Sequence, residues 1–335
     1  ILGSVGKDTL DGGAGDDTLK GGTGDDTYHY TGEDGFDIIT DTGGTDTIVF
    51  KSGYNIKAPW KAPYRDGNNL VYVSENGKSG FTVVDHFSDT NKSIELFHYE
   101  GADGGAYSVK VRNSNSAVGD GSYDEALLGT KGDDTLTGVA GTKKRHDEFY
   151  GHEGNDTINN ASGGKSWIEA GDGNDIITGG AKEDIIRGQN GDDTIDGGNG
   201  NDIIYGGDGN DTIKTGAGDD KVYGEAGDDI IIQNGSGSQT YDGGSGTDTL
   251  KVDTSGGWVG TLNKDYPNSI EINMTTGIVG QTNNPNKRDS FSNIENITFI
   301  GSFDTLLTGD GNDNIIIGDT GNDTLDGGNG KDTLD

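Results

Sequence analysis

The sequence has no cysteine, little positive charge and no long apolar run. Its 335 residues contain 24 lysines and arginines against 58 aspartates and glutamates, which gives a formal net charge of −34. The absence of cysteine excludes disulfides and thiolate metal centres. No apolar stretch reaches about 18 residues, so the sequence predicts no transmembrane helix. The excess negative charge repels phosphate and excludes nucleic acid as a simple partner.

Apolar residues are also scarce, at 28% of the chain. A composition this poor in apolar residues, combined with a high net charge, is typical of intrinsically disordered chains. One compact hydrophobic domain of this length is therefore excluded, and either the chain is disordered or a cation folds it. The sequence opens without a methionine or a basic and apolar leader, so we expect it to be a piece of a longer protein.

Glycine is abundant, with 63 residues, and much of it belongs to a repeat with a period of nine. Residues 197–205 read GGNGNDIIY and residues 206–214 read GGDGNDTIK, which gives the pattern G-G-x-G-x-D-x-U-x with U a large apolar residue. Glycine allows the positive φ angles that a tight turn needs. The aspartate adds a carboxylate oxygen, and the last three residues form a short strand with U facing inward.

One inward apolar residue per repeat predicts a thin core stacked along an axis. The predicted series runs from Leu10 to Ile48 and from Leu136 to Leu250. Each coil buries its inward residue only against its neighbours, as in any solenoid. Stacked turns hold carboxylates a few Å apart, which is unfavourable without a cation. Since oxygen ligands of this kind suit Ca²⁺, the repeat predicts several calcium ions.

The nonapeptide resembles the calcium-binding repeat of the RTX (repeats-in-toxin) family. The resemblance implies an all-β fold, namely a right-handed parallel β-roll in which two nonapeptides form one coil. Three blocks of repeats alternate with predicted antiparallel β flanks. The predicted organisation is block one at 1–49, a β flanking segment at 50–128, block two at 129–251, a second β flank at 252–300, and a truncated block three at 301–335.

The residue that ends each turn is the candidate calcium ligand. In block three the register around Thr308–Ile317 is ambiguous by one residue, so the ligand there is Asp313 or Asn314. The candidate ligands are Asp8, Asp17, Asp26, Asp37, Asp46, Asp134, Asp147, Asp156, Asp175, Asp184, Asp193, Asp202, Asp211, Asp220, Asp229, Asp248, Asp304, Asp313, Asp323 and Asp332.

The irregular turns of block two all fall on one side of the roll when alternate turns are stacked as the resemblance implies. Counted from Asp134, the odd turns run through to Asp248 without a gap, whereas the even turns have Ser166 and Gln239 in place of aspartate. We therefore expect a continuous calcium column on the odd side. On the even side we expect a column confined mainly to Asp184, Asp202 and Asp220, with side-chain hydrogen bonds closing the turns at Ser166 and Gln239.

No pattern in the sequence predicts catalysis. Residues 41–43 and 319–321 both spell the Asp-Thr-Gly tripeptide of aspartic proteases, but both lie inside repeat turns. The sequence has neither H-E-x-x-H nor G-x-S-x-G, the motifs of zinc proteases and of the hydrolase nucleophile elbow. Two surface alternatives stay open: the basic stretch 143–146 is a solvated loop or a partner site, and Trp60 between two prolines could lie in a sugar-binding loop.

The predicted function is that of a calcium-binding module that stays unfolded at low calcium and folds on secretion to the calcium-rich exterior. The resemblance implies the C-terminal region of a large secreted adhesin or toxin, outside the cell or on a bacterial surface. It also implies the type I secretion machinery as a partner of the full-length protein. The sequence names no protein or glycan target. The chain ends inside a repeat at Asp335, without the C-terminal secretion signal, so we expect truncation.

Two alternatives belong to other functional classes. A non-catalytic β-roll can be appended to a secreted enzyme such as a lipase, a protease or an alginate epimerase, and the preceding sequence would decide this. Ice binding on a calcium solenoid would need a repeated threonine at the third turn position. That position reads Asp172, Ala181 and Asn190 in successive repeats, which argues against ice binding.

Overall fold

The structure is a computed structural model, and every regular element that it describes is a β-strand. The predicted all-β fold is therefore confirmed. Within the described part of the chain, no helix could cross a membrane. The described residues are 1–31, 34–50, 64–66, 69–73, 79–84, 94–100, 106–113, 116–118, 124–129, 132–138, 146–160, 164–254, 270–281 and 288–335.

The chain forms two compact units, Ile1–His152 and Glu153–Asp335. The strands of the first unit are β1 (Thr9–Asp11), β2 (Thr18–Lys20), β3 (Thr27–Tyr30), β4 (Phe36–Thr40), β5 (Asp46–Phe50), β6 (Tyr64–Asp66), β7 (Asn69–Val73), β8 (Gly80–Val83), β9 (Ile94–Glu100), β10 (Ala106–Asn113), β11 (Ser116–Val118), β12 (Asp124–Leu128), β13 (Thr135–Thr137) and β14 (His146–Glu153).

In the first unit, successive strands of block one go alternately to two parallel sheets. Strands β1, β3 and β5 pair in parallel, and β2 pairs in parallel with β4. The predicted antiparallel flank is confirmed for β6, β7 and β8 and for the pair β9 and β10. The flank also rejoins the roll, because β8 and β9 extend the two sheets in parallel and β10 continues in parallel to β12.

An aromatic cluster joins block one to this flank. The rings of Tyr30 and Phe50 stand at the ends of β3 and β5, those of Tyr72 and Phe81 come from β7 and β8 of the flank, and all four are buried. Their ring centroids lie 5.2 to 6.0 Å apart, mostly edge to face. Aromatic pairs in this arrangement stabilise a fold beyond the area that they bury. The cluster thus supplies a thicker core where the nonapeptide period stops.

The second unit contains the longest run of repeats. Its strands are β15 (Thr157–Asn159), β16 (Lys165–Asp172), β17 (Ile176–Thr178), β18 (Ile185–Asn190), β19 (Thr194–Asp196), β20 (Ile203–Asp208), β21 (Thr212–Lys214), β22 (Lys221–Ala226), β23 (Ile230–Gln233), β24 (Thr240–Ser245), β25 (Thr249–Asp253), β26 (Ile270–Asn273), β27 (Ile278–Gln281), β28 (Arg288–Ser292), β29 (Asn296–Ile300), β30 (Thr305–Thr308), β31 (Ile315–Ile317), β32 (Thr324–Asp326) and β33 (Thr333–Leu334).

These strands also alternate between two sheets, as two nonapeptides per coil require. The odd sheet contains β15, β17, β19, β21, β23, β25, β29, β31 and β33, all parallel. The even sheet runs in parallel from β16 through β18, β20, β22 and β24 to β28. Beyond β28 it continues through the antiparallel strands β27 and β26, and then in parallel through β30 to β32.

The inward residues stack in register along each sheet. Ile186, Ile204 and Val222 are paired on β18, β20 and β22, and each is at most 1% exposed. Every inward residue predicted from the sequence of blocks one and two is buried. The core is therefore a single row of side chains per sheet. Each repeat turn lies at the end of a strand that contributes to this row.

Candidate metal centres in the turns

Each turn needs glycine because the coils stack closely. Gly207 and Gly209 have φ angles of 127° and 137°, in the region that favours glycine. A Cβ atom on Gly209 would also collide with the carbonyl oxygen of Gly191, in the turn of the preceding coil. Because glycine has no Cβ, it allows both the positive φ angle and the close approach of backbone oxygens in successive turns.

The aspartates that end the turns form a buried ladder along each side of the roll. One carboxylate oxygen, Oδ1, accepts a hydrogen bond of 2.7 to 2.9 Å from the backbone N–H of the matching aspartate one coil earlier, 18 to 20 residues back. Asp193, for example, accepts from Asp175 and donates its own N–H to Asp211. This ladder joins consecutive coils outside the β-sheets.

In most of these turns the other carboxylate oxygen, Oδ2, accepts no hydrogen bond. In eight aspartates that are each at most 1% exposed, Oδ2 is buried and has no hydrogen-bond partner. Such a buried charged oxygen is costly unless something binds it. The eight residues are Asp26, Asp175, Asp193, Asp202, Asp211, Asp220, Asp229 and Asp248.

The space next to Oδ2 is lined by oxygens of two coils. A Cβ atom on Gly206 would touch Oδ2 of Asp211, and it would lie 2.7 Å from the carbonyl oxygen of Gly224 in the next coil. Gly188 and Gly224 show the same arrangement with Asp193 and Asp229. Glycine therefore lets a carboxylate oxygen and a carbonyl oxygen of two coils approach each other closely, and oxygens of this kind are the ligands that a hard cation such as Ca²⁺ prefers.

Burial disfavours the charge that such a cation would neutralise. It raises the pKa of Asp193 to about 7 and the pKa values of Asp202 and Asp211 to about 8, with a smaller contribution from neighbouring carboxylates. The same cause raises the pKa of Asp175 to about 6. Without a cation, the folded turns therefore favour protonated carboxyl groups at pH values where free aspartate is charged.

The buried Oδ2 atoms without a hydrogen-bond partner are distributed differently on the two sides of the second unit. On the odd side they form an unbroken row at Asp175, Asp193, Asp211, Asp229 and Asp248. On the even side, among the described turns of this unit, they occur at Asp202 and Asp220.

Asp184 was expected to belong to the even row, but both of its oxygens accept hydrogen bonds. Oδ1 accepts from the backbone N–H and the hydroxyl of Ser166, at 2.6 and 2.9 Å, and Oδ2 accepts from Gly180 N–H at 2.7 Å.

Side-chain hydrogen bonds close the two ten-residue turns, as predicted. The hydroxyl of Ser166 donates to Asp184, as above. In the other turn, Oε1 of Gln239 accepts from the N–H of Asp220 at 2.9 Å, and Nε2 donates to the carbonyl oxygen of Gly218 at 2.7 Å. The glutamine amide thus continues the ladder and also binds a turn carbonyl.

The turn-ending positions of blocks one and two contain the aspartates that the sequence indicated. Asp8 and Asp17 are partly exposed, and the other positions are buried. The buried members are Asp26, Asp37, Asp46, Asp134, Asp147, Asp156, Asp175, Asp184, Asp193, Asp202, Asp211, Asp220, Asp229 and Asp248.

In block three the turn-ending position predicted at Asp304 is wrong by one residue, and of the two alternatives Asp313 and Asn314 the structure places Asn314 at the end of its turn. The side chains of Asp304 and Asp313 are exposed, whereas Thr305 and Asn314 are buried and donate their N–H groups to Asp323 and Asp332. The reason lies in the strands that follow. Leu307 and Ile316 face inward and are fully buried, while Leu306 and Ile315 face outward.

Asp304 and Asp313 instead belong to a second, exposed ladder that runs in the opposite direction. Here the side chain of the earlier coil accepts from the backbone N–H of the later coil, as from Asn322 to Asp304 and from Lys331 to Asp313. In block two this ladder passes through Asn155, Asn174, Asp192, Asn210 and Asp228 to Thr247.

Two members of the buried ladder were not predicted from the sequence. Oδ1 of Asp289 accepts from Gln239 N–H and extends the even side, and Oε2 of Glu295 accepts from Asp248 N–H and extends the odd side. Both precede short x-U-x strands, with Phe291 and Ile297 inward. An acidic residue followed two positions later by an apolar residue is visible in the sequence at both places, but no glycine-rich turn precedes it.

The two surface alternatives lie mostly outside the described residues. Trp60 and the basic residues 143–145 are among the residues that the structure does not describe.

Comparisons with known proteins agree with the repeat geometry. A family model described as the RTX calcium-binding nonapeptide repeat matches residues 2–30, 29–56, 120–142, 144–164, 169–204, 205–232 and 308–335, more than half of the chain. No curated protein matches.

The crystal structure of the extracellular lipase LipA from Serratia marcescens is similar over 68% of this chain and 31% of the lipase chain, at 20% identity and a TM-score of 0.28. The chain thus spans less than a third of that lipase. On the evidence of the repeat match, the chain belongs to the RTX calcium-binding nonapeptide repeat family.

Proposed function

We propose that this chain is a calcium-dependent folding module of a large secreted adhesin or toxin. It stays unfolded where calcium is scarce and folds into the roll where calcium is abundant, outside the cell. One observation carries this proposal: the row of buried aspartate oxygens that have no hydrogen-bond partner, several of which lie near a carbonyl oxygen of the next coil, as at Asp193, Asp211 and Asp229.

The energetic argument follows from this row. Folding buries carboxylates one coil apart in a chain whose net charge is −34, and no lysine or arginine of the described turns pairs with Asp193, Asp211 or Asp229. The thin core offsets only part of that cost. Because a cation binds the folded turns and not the extended chain, its binding free energy adds directly to the free energy of folding.

The module has no catalytic role in this proposal. Both Asp-Thr-Gly tripeptides serve turn structure: Asp41 accepts the backbone N–H of Thr42, and Asp319 accepts that of Gly301. Asp319 is exposed and has a left-handed φ of 58°. If the parent protein is a secreted enzyme, its catalytic residues would lie in sequence outside these repeats.

Circular dichroism of the full chain tests the proposal. We expect a disordered spectrum in chelator and a β spectrum in millimolar calcium, with cooperative refolding. The calcium midpoint should lie at about 10⁻⁴ to 10⁻³ M, because each site uses many neutral carbonyls and few charges. Magnesium at the same concentration is the matched control, since it prefers a smaller and stricter octahedral site. A β spectrum that persists in excess chelator at neutral pH would refute the proposal.

A further inference from the structure

Three carboxylates meet in the last turns of block one. Asp26, Asp41 and Asp46 are 1%, 2% and 0% exposed, and each offers an oxygen within 4.8 Å of the others. Asp26 and Asp46 end successive turns on the same side of the roll. Asp41 begins the later turn, where the preceding coil has Gly21 and the nonapeptide has its first glycine. This third carboxylate distinguishes the site from the two-aspartate turns elsewhere.

Two observations point to a ligand between these groups. Oδ2 of Asp26 is buried and has no hydrogen-bond partner. Gly21 lets oxygens of two coils approach closely, because a Cβ there would touch Oδ2 of Asp26, Oδ2 of Asp41 and the hydroxyl of Tyr28. Three oxygens from two coils therefore converge beside Gly21.

Turn capping explains part of the arrangement at Asp41. Its Oδ1 accepts the N–H groups of Thr42 and Gly43 at 2.6 and 3.0 Å, and its Oδ2 accepts the hydroxyl proton of Tyr28. An asparagine could accept the same amide protons. Capping therefore does not require a third charge at a buried position, where it faces the carboxylate of Asp26.

We propose that Asp26, Asp41 and Asp46 form a divalent-cation site that fills at lower calcium than the two-aspartate turns. The inference rests on the proposed calcium function and names one site within it. A third carboxylate strengthens the attraction to a divalent cation, and the charge count of the ligands tunes calcium affinity. The hydroxyl of Tyr28 fixes the orientation of Asp41. Block one would then order before the other repeats as calcium rises.

The test measures binding of radioactive calcium to the full chain by equilibrium dialysis, starting below the folding midpoint. Wild type should show one site filled at about tenfold lower calcium than the rest. The nearly isosteric variant Asp41→Asn should lose that early site and keep the later ones. Asp11→Asn is the matched control, because it removes one exposed charge from the same unit and should leave the early site unchanged.

Terbium luminescence places the early site. Excited through tyrosine, one equivalent of Tb³⁺ should emit strongly in wild type and weakly in Asp41→Asn and in Tyr28→Phe, and Tyr28→Phe should keep the early calcium site in dialysis. If Asp41→Asn binds early calcium and Tb³⁺ as wild type does, the inference is wrong while the calcium-dependent fold still stands. If wild type binds no calcium and folds without it, the proposed function fails as well.

Discussion

A single isoleucine shows how little core each coil has. Ile204 is fully buried and is paired in register with Ile186 on one side and Val222 on the other. No second layer of side chains lies behind it, because the next residues inward belong to the facing sheet. Its environment depends on the coils above and below, so damage at one position weakens both interfaces.

Replacing Ile204 with alanine should leave a cavity that costs about 2–5 kcal/mol. Because folding and calcium binding are coupled, the loss should appear as a higher calcium midpoint in circular dichroism. Ile176→Ala is the matched control, since Ile176 is 54% exposed on the outer face of β17 and should shift the midpoint little. Equal midpoints for Ile204→Ala and wild type would contradict the inward position.

The residue pattern predicts the core where an aspartate ends the turn, because the inward residue then follows two positions later. Blocks one and two obey this rule even where isoleucines are adjacent, as at Ile203-Ile204. In block three the same rule selects Leu306 and Ile315, but Leu307 and Ile316 are the buried residues. There the pairing with neighbouring strands decides the register, and the turn-ending position passes to Thr305 and Asn314.

At the scale of strands, the second flank belongs to the roll more than its sequence indicates. Strands β28 and β29 extend both sheets, and the described antiparallel pairs of this flank, β26 with β27 and β27 with β28, lie within the even sheet. Strand pairing over 47 to 50 residues brings Asp289 and Glu295 onto the ladders. The nine-residue period does not predict these two acidic residues, because pairing between distant strands, and not the local sequence, positions them.

The turn at Gln239 should depend on its side-chain amide. In Gln239→Ala, the N–H of Asp220 and the carbonyl oxygen of Gly218 lose their partner, which should destabilise the folded roll by about 1–3 kcal/mol. Urea denaturation at saturating calcium measures the loss. Ser238→Ala is the control, because Ser238 is exposed and joins the outer ladder through its backbone N–H. A loss no greater than that of Ser238→Ala would mean that the amide adds nothing.

For the whole molecule, protons and calcium are alternative ways to neutralise the stacked carboxylates. Burial raises the pKa values of Asp220 and Asp229 to about 6, of Asp193 to about 7, and of Asp202 and Asp211 to about 8. A raised folded pKa stabilises the folded state fully below the unfolded value, near 4, and this stabilisation is lost as the pH rises through the folded value.

In calcium-free buffer, the β content should therefore increase as the pH falls from 8 to 5, above the isoelectric point near 4.1. In calcium the dependence reverses, because the ligand oxygens must be deprotonated, and the calcium midpoint should rise as the pH falls. Circular dichroism at several pH values, with and without calcium, checks both signs. A calcium-free spectrum that stays disordered at pH 5 would contradict the pKa argument.

The regular 18-residue offset of both ladders in the middle of block two has a consequence for how this chain can change in length. Removing residues 197–214 takes out one full coil, shortens the stack by about 4.8 Å and leaves every later strand on its own sheet. Removing nine residues would turn everything downstream by half a revolution and carry the β26–β27 hairpin to the opposite face. The 18-residue deletion should keep a calcium-induced β spectrum, and a variant that stays unfolded in saturating calcium would show that the coils are not interchangeable. Insertions and deletions that keep every strand on its own sheet therefore come in whole coils. A duplicated segment of one coil can be added without changes in the neighbouring coils.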